Sequence, residues 1–197
     1  MISDDEGEGA EFNERTLQKL KENDPDINGL ALNGLLYTRL GDYDGGSFFK
    51  SIDWKKDGDC ISNNTHIKRL WIWFTGRSYE QPYTLGEDRH NLPTREQLQG
   101  FFSCIYQNRS INHLGTNSIC IDDDFGGDLL EGLQGHPSLT KLDFESGNLG
   151  SKGCSAIGEV LKHPKCKLTE LRLADNNFDH EGFSALLYVM LWRAIRH

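Results

Sequence analysis

One short run places an arginine and two tryptophans on alternate positions: Arg69-Leu70-Trp71-Ile72-Trp73. In an extended strand, alternate side chains share a face. Trp and Arg are the residues most enriched in binding hot spots, since each buries a large area and keeps a polar handle. The chemistry this run suggests is recognition rather than bond-making. Bond-making signatures are absent. The chain has no G-x-x-x-x-G-K-[ST] loop, no dinucleotide glycine fingerprint, no G-x-S-x-G elbow and no H-E-x-x-H pair. Its seven histidines are scattered, and two of them, His136 and His163, each precede a proline, which suggests a turn role. Asp122-Asp123-Asp124-Phe125-Gly126-Gly127 partly matches a calcium loop, but position twelve is Leu133, where a bidentate Glu is needed. A second acidic run, Asp42 to Asp53, has Ser47 where the turn glycine belongs. Both read as turn chemistry, so neither a metal nor a cofactor is expected, and no convergent titratable set suggests an enzyme.

The residues sit in a chain of 197 with a formal net charge of −9. That charge argues against a general nucleic-acid binder, because phosphate affinity comes from clustered Lys and Arg. No apolar run approaches the about 20 residues needed to cross a bilayer. The acidic, polar start lacks the pattern of a secretory signal, so a cytoplasmic or nuclear location is expected. Five cysteines (Cys60, Cys104, Cys120, Cys154 and Cys166) without C-x-x-C spacing read as buried thiols.

An internal repeat must position the candidate residues. Leu168-Thr169-Glu170-Leu171-Arg172-Leu173-Ala174-Asp175-Asn176-Asn177-Phe178 reads L-x-x-L-x-L-x-x-N-x-F. The same frame occurs 29 residues earlier, from Leu139 to Leu149, with Gly147 in the Asn slot. Gly153 and Gly182 are also 29 apart, each followed by an apolar helical pattern. Weaker frames start at Ile111, Ile67, Phe49 and Ile27. Each frame predicts a strand whose alternating apolar residues turn inward, and a helix returns the chain behind the sheet. The Asn amide would satisfy backbone groups where the chain leaves the strand. A helix over 94–107 is expected as well, with Leu98, Phe101, Phe102 and Ile105 as its apolar stripe, and another over 181–195.

These frames resemble the leucine-rich-repeat family, specifically its ribonuclease-inhibitor-like class with 28–29-residue repeats. The stretches 16–25 and 61–70 also resemble uncharacterised leucine-rich-repeat proteins of algae, which implies no activity. The resemblance implies an α/β solenoid, a horseshoe with a parallel concave β-sheet and return helices on the convex side. The expected organisation is an acidic disordered tail over 1–12 and an N-terminal capping helix over 13–26. A repeat domain of about six irregular repeats follows over 27–197, with a loop insertion at 75–93.

In each frame the residues between the leucines point away from the core. The expected partner-binding set is Arg69, Trp71, Trp73, His113, Lys141, Asp143, Glu170 and Arg172, with small Gly115 leaving room beside Trp71 for an incoming side chain. Two alternatives stand beside this. The 75–93 loop could cover the tryptophans and make them core, or the frame could be shifted by one residue, which exchanges the two faces. The expected function is a non-catalytic scaffold that binds another protein through its concave face, with neither nucleic acid nor membrane as partner. The alternatives are a regulatory inhibitor or small-GTPase activator of the ribonuclease-inhibitor-like class, or a structural subunit of a larger assembly.

Overall fold

The computed structural model describes residues 10–11, 14–33, 54–73, 95–117 and 123–196. Strands and helices alternate along the chain. They run β1 (Ala10–Glu11), α1 (Glu14–Lys21), β2 (Gly29–Asn33), α2 (Trp54–Asn63), β3 (Arg69–Trp73), α3 (Arg95–Gln107), β4 (His113–Asn117), α4 (Asp123–Glu131), β5 (Lys141–Glu145), α5 (Ser151–Lys162), β6 (Glu170–Arg172) and α6 (His180–Arg196). The six strands form one sheet in sequence order, and every neighbouring pair is parallel. Sequential parallel strands with a helix between each pair are the signature of an α/β solenoid.

The register follows the repeat frame. Gly29, Arg69, His113, Lys141 and Glu170 lie side by side across β2 to β6, and Ala31, Trp71, Gly115, Asp143 and Arg172 form the next row on that face. Between these rows, Leu30, Leu70, Leu114 and Leu142 turn inward and are fully buried, as is Ile72, while Thr116 and Phe144 are 1% exposed. The frame is therefore not shifted, and the face expected to look away from the core does so.

One expectation changes, and one frame falls mostly outside the described residues. Of Phe49-x-x-Ile52-x-Trp54 only Trp54 is described: it opens α2, and β2 pairs directly with β3. Within the stretch expected to be a disordered tail, Ala10–Glu11 pair with Leu30 and Ala31 as β1. The 42–53 and 75–93 segments lie outside the described residues. α3 begins at Arg95 as expected and buries Leu98, Phe101, Phe102 and Ile105.

The strands start and stop by side-chain hydrogen bonding. Asp24, Asn64, Asn108 and His136 each stand three residues before the first apolar residue of a strand frame. The Asn108 Oδ1 accepts from the Ser110 and Ile111 amides at 2.7 and 2.8 Å, and its Nδ2 donates to the Ile61 and Asn64 carbonyls in the preceding turn of the solenoid. Asn64 Oδ1 accepts in the same way from His66 and Ile67. His136 imitates the pattern: Nδ1 accepts from Leu139, and Nε2 donates to the Ile105 carbonyl at 3.1 Å. His163 Nδ1 accepts from the Lys165 amide, so both histidines take the expected turn role. After the strands, Asn176 Oδ1 accepts from the Gly147 and Leu149 amides, and its Nδ2 donates to the Phe144 and Leu173 carbonyls. This is the predicted work of the Asn slot. Ser146 and Asp175, 29 residues apart, both take left-handed backbone (φ 51° and 54°) where the chain leaves its strand.

The helices form two blocks. α2 packs along α3, and α5 is packed between α4 and α6, but α3 and α4 meet sparsely. There the Tyr106 hydroxyl donates to the Leu129 carbonyl at 2.7 Å. Burial, and then the nearby Asp128 charge, pushes the Tyr106 phenol up, so it stays a donor. Arg95 reaches Asp128 at 3.2 Å and lies over the Phe125 ring. No described helix is long and apolar enough to cross a membrane.

Candidate recognition face

The expected site residues converge on the strand face of β3 to β6. Successive parallel strands lie about 4.8 Å apart, while an indole is wider than that, so Trp71 must lean on a neighbour. It leans across Gly115. A Cβ at Gly115 would lie 2.0 Å from the Trp71 ring. The space expected beside Trp71 is therefore filled by Trp71 itself, and Gly115 is the residue that permits the close approach. The ring meets His113 edge-on, with centroids 4.9 Å apart at 66°.

His113 and Asp143 differ from expectation. Both were expected to face a partner, yet they are 6% and 5% exposed. His113 Nε2 lies 3.2 Å from Asp143 Oδ2 on the next strand. Asp143 Oδ1 lies 3.7 Å from Nε of Arg172, one strand further. One chain of contacts, Trp71–His113–Asp143–Arg172, thus crosses four strands. Beside it, Lys141 Nζ bonds Glu170 Oε1 at 2.9 Å. The buried pair acts beneath the surface as an anchor for what is exposed: Arg172 and Glu170 stand out from the sheet, and Arg69, Trp71 and Lys141 are half-buried. The Trp73 backbone completes β3, and its side chain lies outside the described part.

The face offers shape and charge. Among the described residues, no hydroxyl or thiol is hydrogen-bonded to His113, and no group of three His, Cys, Asp or Glu could hold a metal ion. In the acidic run that partly matches a calcium loop, Asp123 works as a helix cap. Its carboxylate accepts from the Gly150, Lys152 and Gly153 amides at the start of α5, 27 to 30 residues away. Asp124 pairs with Lys152. A groove of about 860 Å³ lies away from the face, lined by Tyr106, Arg109, Lys165, Cys166 and Lys167 among others, and it carries no carboxylate. Of the cysteines, Cys154 is buried and its thiol is pushed up to about 11, chiefly by burial. Cys60, Cys104 and Cys166 are half-buried rather than fully buried.

Two features were not expected from the sequence. The turn ladder of Asp24, Asn64, Asn108 and His136 was recognised only at His136, although its fixed spacing of three to the next apolar residue is a readable signal. The outward apolar face of α6 was also missed. Phe183, Leu187, Leu191 and Ile195 recur every four residues there, opposite buried Leu186 and Val189.

Comparison with known proteins agrees with this geometry. The family model described as "Leucine Rich repeat" matches residues 135–158 and 165–187. A bovine (Bos taurus) protein, "NACHT, LRR and PYD domains-containing protein 3", is 27% identical over 122 residues, 62% of this chain and 11% of its own length. The human (Homo sapiens) "NACHT, LRR and PYD domains-containing protein 14" is 33% identical over 80 residues, 41% of this chain and 7% of its own length. The chain thus spans about a tenth or less of these relatives. Among solved structures, the Caenorhabditis elegans tropomodulin C-terminal domain superposes with a TM-score of 0.58 at 13% identity, covering 93% of each chain. The structure titled "Leiomodin-1 Actin-Binding Site 2" gives 0.50 at 14% identity, covering 92% of this chain and 89% of its own.

Proposed function

Because this chain is a leucine-rich-repeat protein, we propose that it is a non-catalytic interaction module that binds another protein through the strand face of β3 to β6. The observation that supports this reading most is the row of Trp71 and Arg172 with its flanking Arg69, Lys141 and Glu170, held in one register and braced by the buried His113–Asp143 pair. A rigid sheet presents these groups without a large ordering cost at binding. Trp71 is pinned against Gly115 and His113 before any partner arrives. Arg172, Glu170 and Lys141 around it set the charge a partner must match. The net charge of −9 favours a protein partner over a nucleic acid. The leiomodin structure is titled an actin-binding site, which fits a fold of this kind being used for recognition. A regulatory role of the ribonuclease-inhibitor-like class is the alternative reading, and a cytoplasmic or nuclear setting belongs to the proposal.

The test is affinity capture from the source cells with wild type and two variants. Arg172→Glu reverses an exposed charge, and Trp71→Ala removes the pinned ring. Circular dichroism first confirms that each is folded. A specific partner should be lost, or weakened at least tenfold, with both variants. A partner retained in full by both folded variants places the binding surface elsewhere.

A further inference from the structure

The edge of the array where the strands begin carries a second feature. Asn108, His136 and His163 accept the amides of three successive turns there. The residue after each, Arg109, Pro137 and Pro164, lines the groove of about 860 Å³. That volume lies within the range of ligand sites. The groove is internal to the array: β4, β5 and β6 follow its three turns, each with a helix after it. The two prolines and the Tyr106 ring, whose hydroxyl is taken by the Leu129 carbonyl, supply apolar wall. Arg109 stands in the first turn, and Lys165 and Lys167 follow Pro164 in the third.

We propose that this groove binds a short acidic peptide segment of a protein partner. The segment lies extended, with a carboxylate at each end and apolar side chains between. The site is separate from the strand face, and neither reading needs the other.

Three observations select that occupant. The first is charge. The chain holds 21 Lys and Arg against 30 Asp and Glu, yet the groove is lined by Arg109, Lys165 and Lys167 and by no carboxylate. Lys162, close by in sequence, pairs with Glu159. Among the described residues Arg109, Lys165 and Lys167 make no ion pair, and all three are exposed. Lys167 Nζ donates to the Pro137 carbonyl at 2.6 Å, which fixes it across two turns and leaves two of its three donors for a ligand. The second is spacing. Parallel strands lie about 4.8 Å apart, so the two outer turns stand roughly 10 Å apart. Three extended residues cover roughly 10 Å. Carboxylates three positions apart therefore reach both ends of the groove, whereas a phosphate is held by cations that converge on one point. The third is reach. At physiological salt, charges beyond about 8 Å are largely screened. A short segment meets only the cations of the groove, while an RNA or an anionic membrane extends over a chain whose net charge is −9.

Fluorescence anisotropy of the purified chain tests this. The probe is a blocked, fluorescein-labelled peptide, Gly-Ser-Glu-Leu-Val-Glu-Ser-Gly, and its control carries Gln in place of both Glu. The acidic peptide should bind saturably and at least tenfold more tightly than the control. Arg109→Glu alone and Lys165→Glu alone, each at an exposed position, should keep their circular dichroism and each weaken binding tenfold or more. Should a reversal unfold the chain, Arg109→Gln and Lys165→Gln carry the same test with a severalfold loss. Arg15→Glu makes the same charge change as Arg109→Glu at the start of α1 and should leave binding within twofold. The proposal is overturned by a wild type that binds neither peptide, or both alike. It is overturned as well if Arg15→Glu costs as much as Arg109→Glu, since the effect is then one of net charge. Tighter binding of a phosphoserine peptide, an RNA oligonucleotide or phosphatidylserine vesicles would overturn it too and give the groove to that class.

Discussion

Asn64 and Asn108 occupy the same place in successive repeats, yet their amides fare differently. Both are buried. Asn108 Nδ2 has two carbonyl acceptors, whereas Asn64 Nδ2 has no hydrogen-bond partner among the described residues. Removing a satisfied buried amide loses its bonds and strands their partners, at about 1–3 kcal/mol. Removing an unsatisfied donor returns part of its burial penalty. Asn108→Ala should therefore cost about 2–3 kcal/mol in urea unfolding, and Asn64→Ala about 1 kcal/mol less. His136 supplies the pH dependence. Its folded-state pKa is lowered, first by burial, with the Ile105 carbonyl contact opposing in part. The unfolded chain, with an ordinary value near 6.5, then binds the proton more readily. The contribution is complete above about pH 6.5 and is lost as the pH falls from there towards the folded-state value. His136→Asn keeps an acceptor for the turn and removes the titration. Unfolding free energies between pH 7.5 and pH 5.5 should therefore fall more steeply for wild type than for this variant.

At the scale of elements, one side chain ties α6 to the chain before it, in addition to its packing on α5. The Arg193 guanidinium donates to the carbonyls of Leu161, Cys166 and Leu168 and to the Cys166 sulfur, closing the end of α5 and the turn after it. A charged donor serving orphan carbonyls near a helix end is worth more than a neutral bond. Arg193→Ala should cost about 2–3 kcal/mol, and hydrogen exchange should quicken in α6 and around 162–168 before it does in α3. The elements were legible in the sequence where periodicity was unambiguous. The frames at 67, 111, 139 and 168 gave strands with the expected face inward, and the α3 stripe was read correctly. Site membership was legible because alternation decides which side chains share a face. Burial within the site was not. That His113 and Asp143, 30 residues apart, would pair under an indole depends on which way each ring leans, and no spacing encodes it. On α6 the helix is apolar nearly all round, so its sequence carries no sign of which face a neighbour covers.

At the scale of the molecule, each described repeat is held by its neighbours along the stack. Side-chain bonds between repeats join residues one turn apart: Asn108 to Ile61, His136 to Ile105, Gly150 to Asp123, and Arg193 to Leu161. Stability in such an array is close to a sum of repeats and junctions, and the junctions are unequal. From α2 to α6 the seam between α3 and α4 is the sparse one, while the sheet runs through it unbroken. Two stiff blocks joined by a thin continuous layer make a flexure: the bending compliance of the whole arc gathers at one place. The contact line from Trp71 through His113 and Asp143 to Arg172 crosses that place on the inner side of the bend. A change in curvature therefore stretches or compresses this line before any other, and a partner gripping both ends of it would set the radius of the arc as it binds.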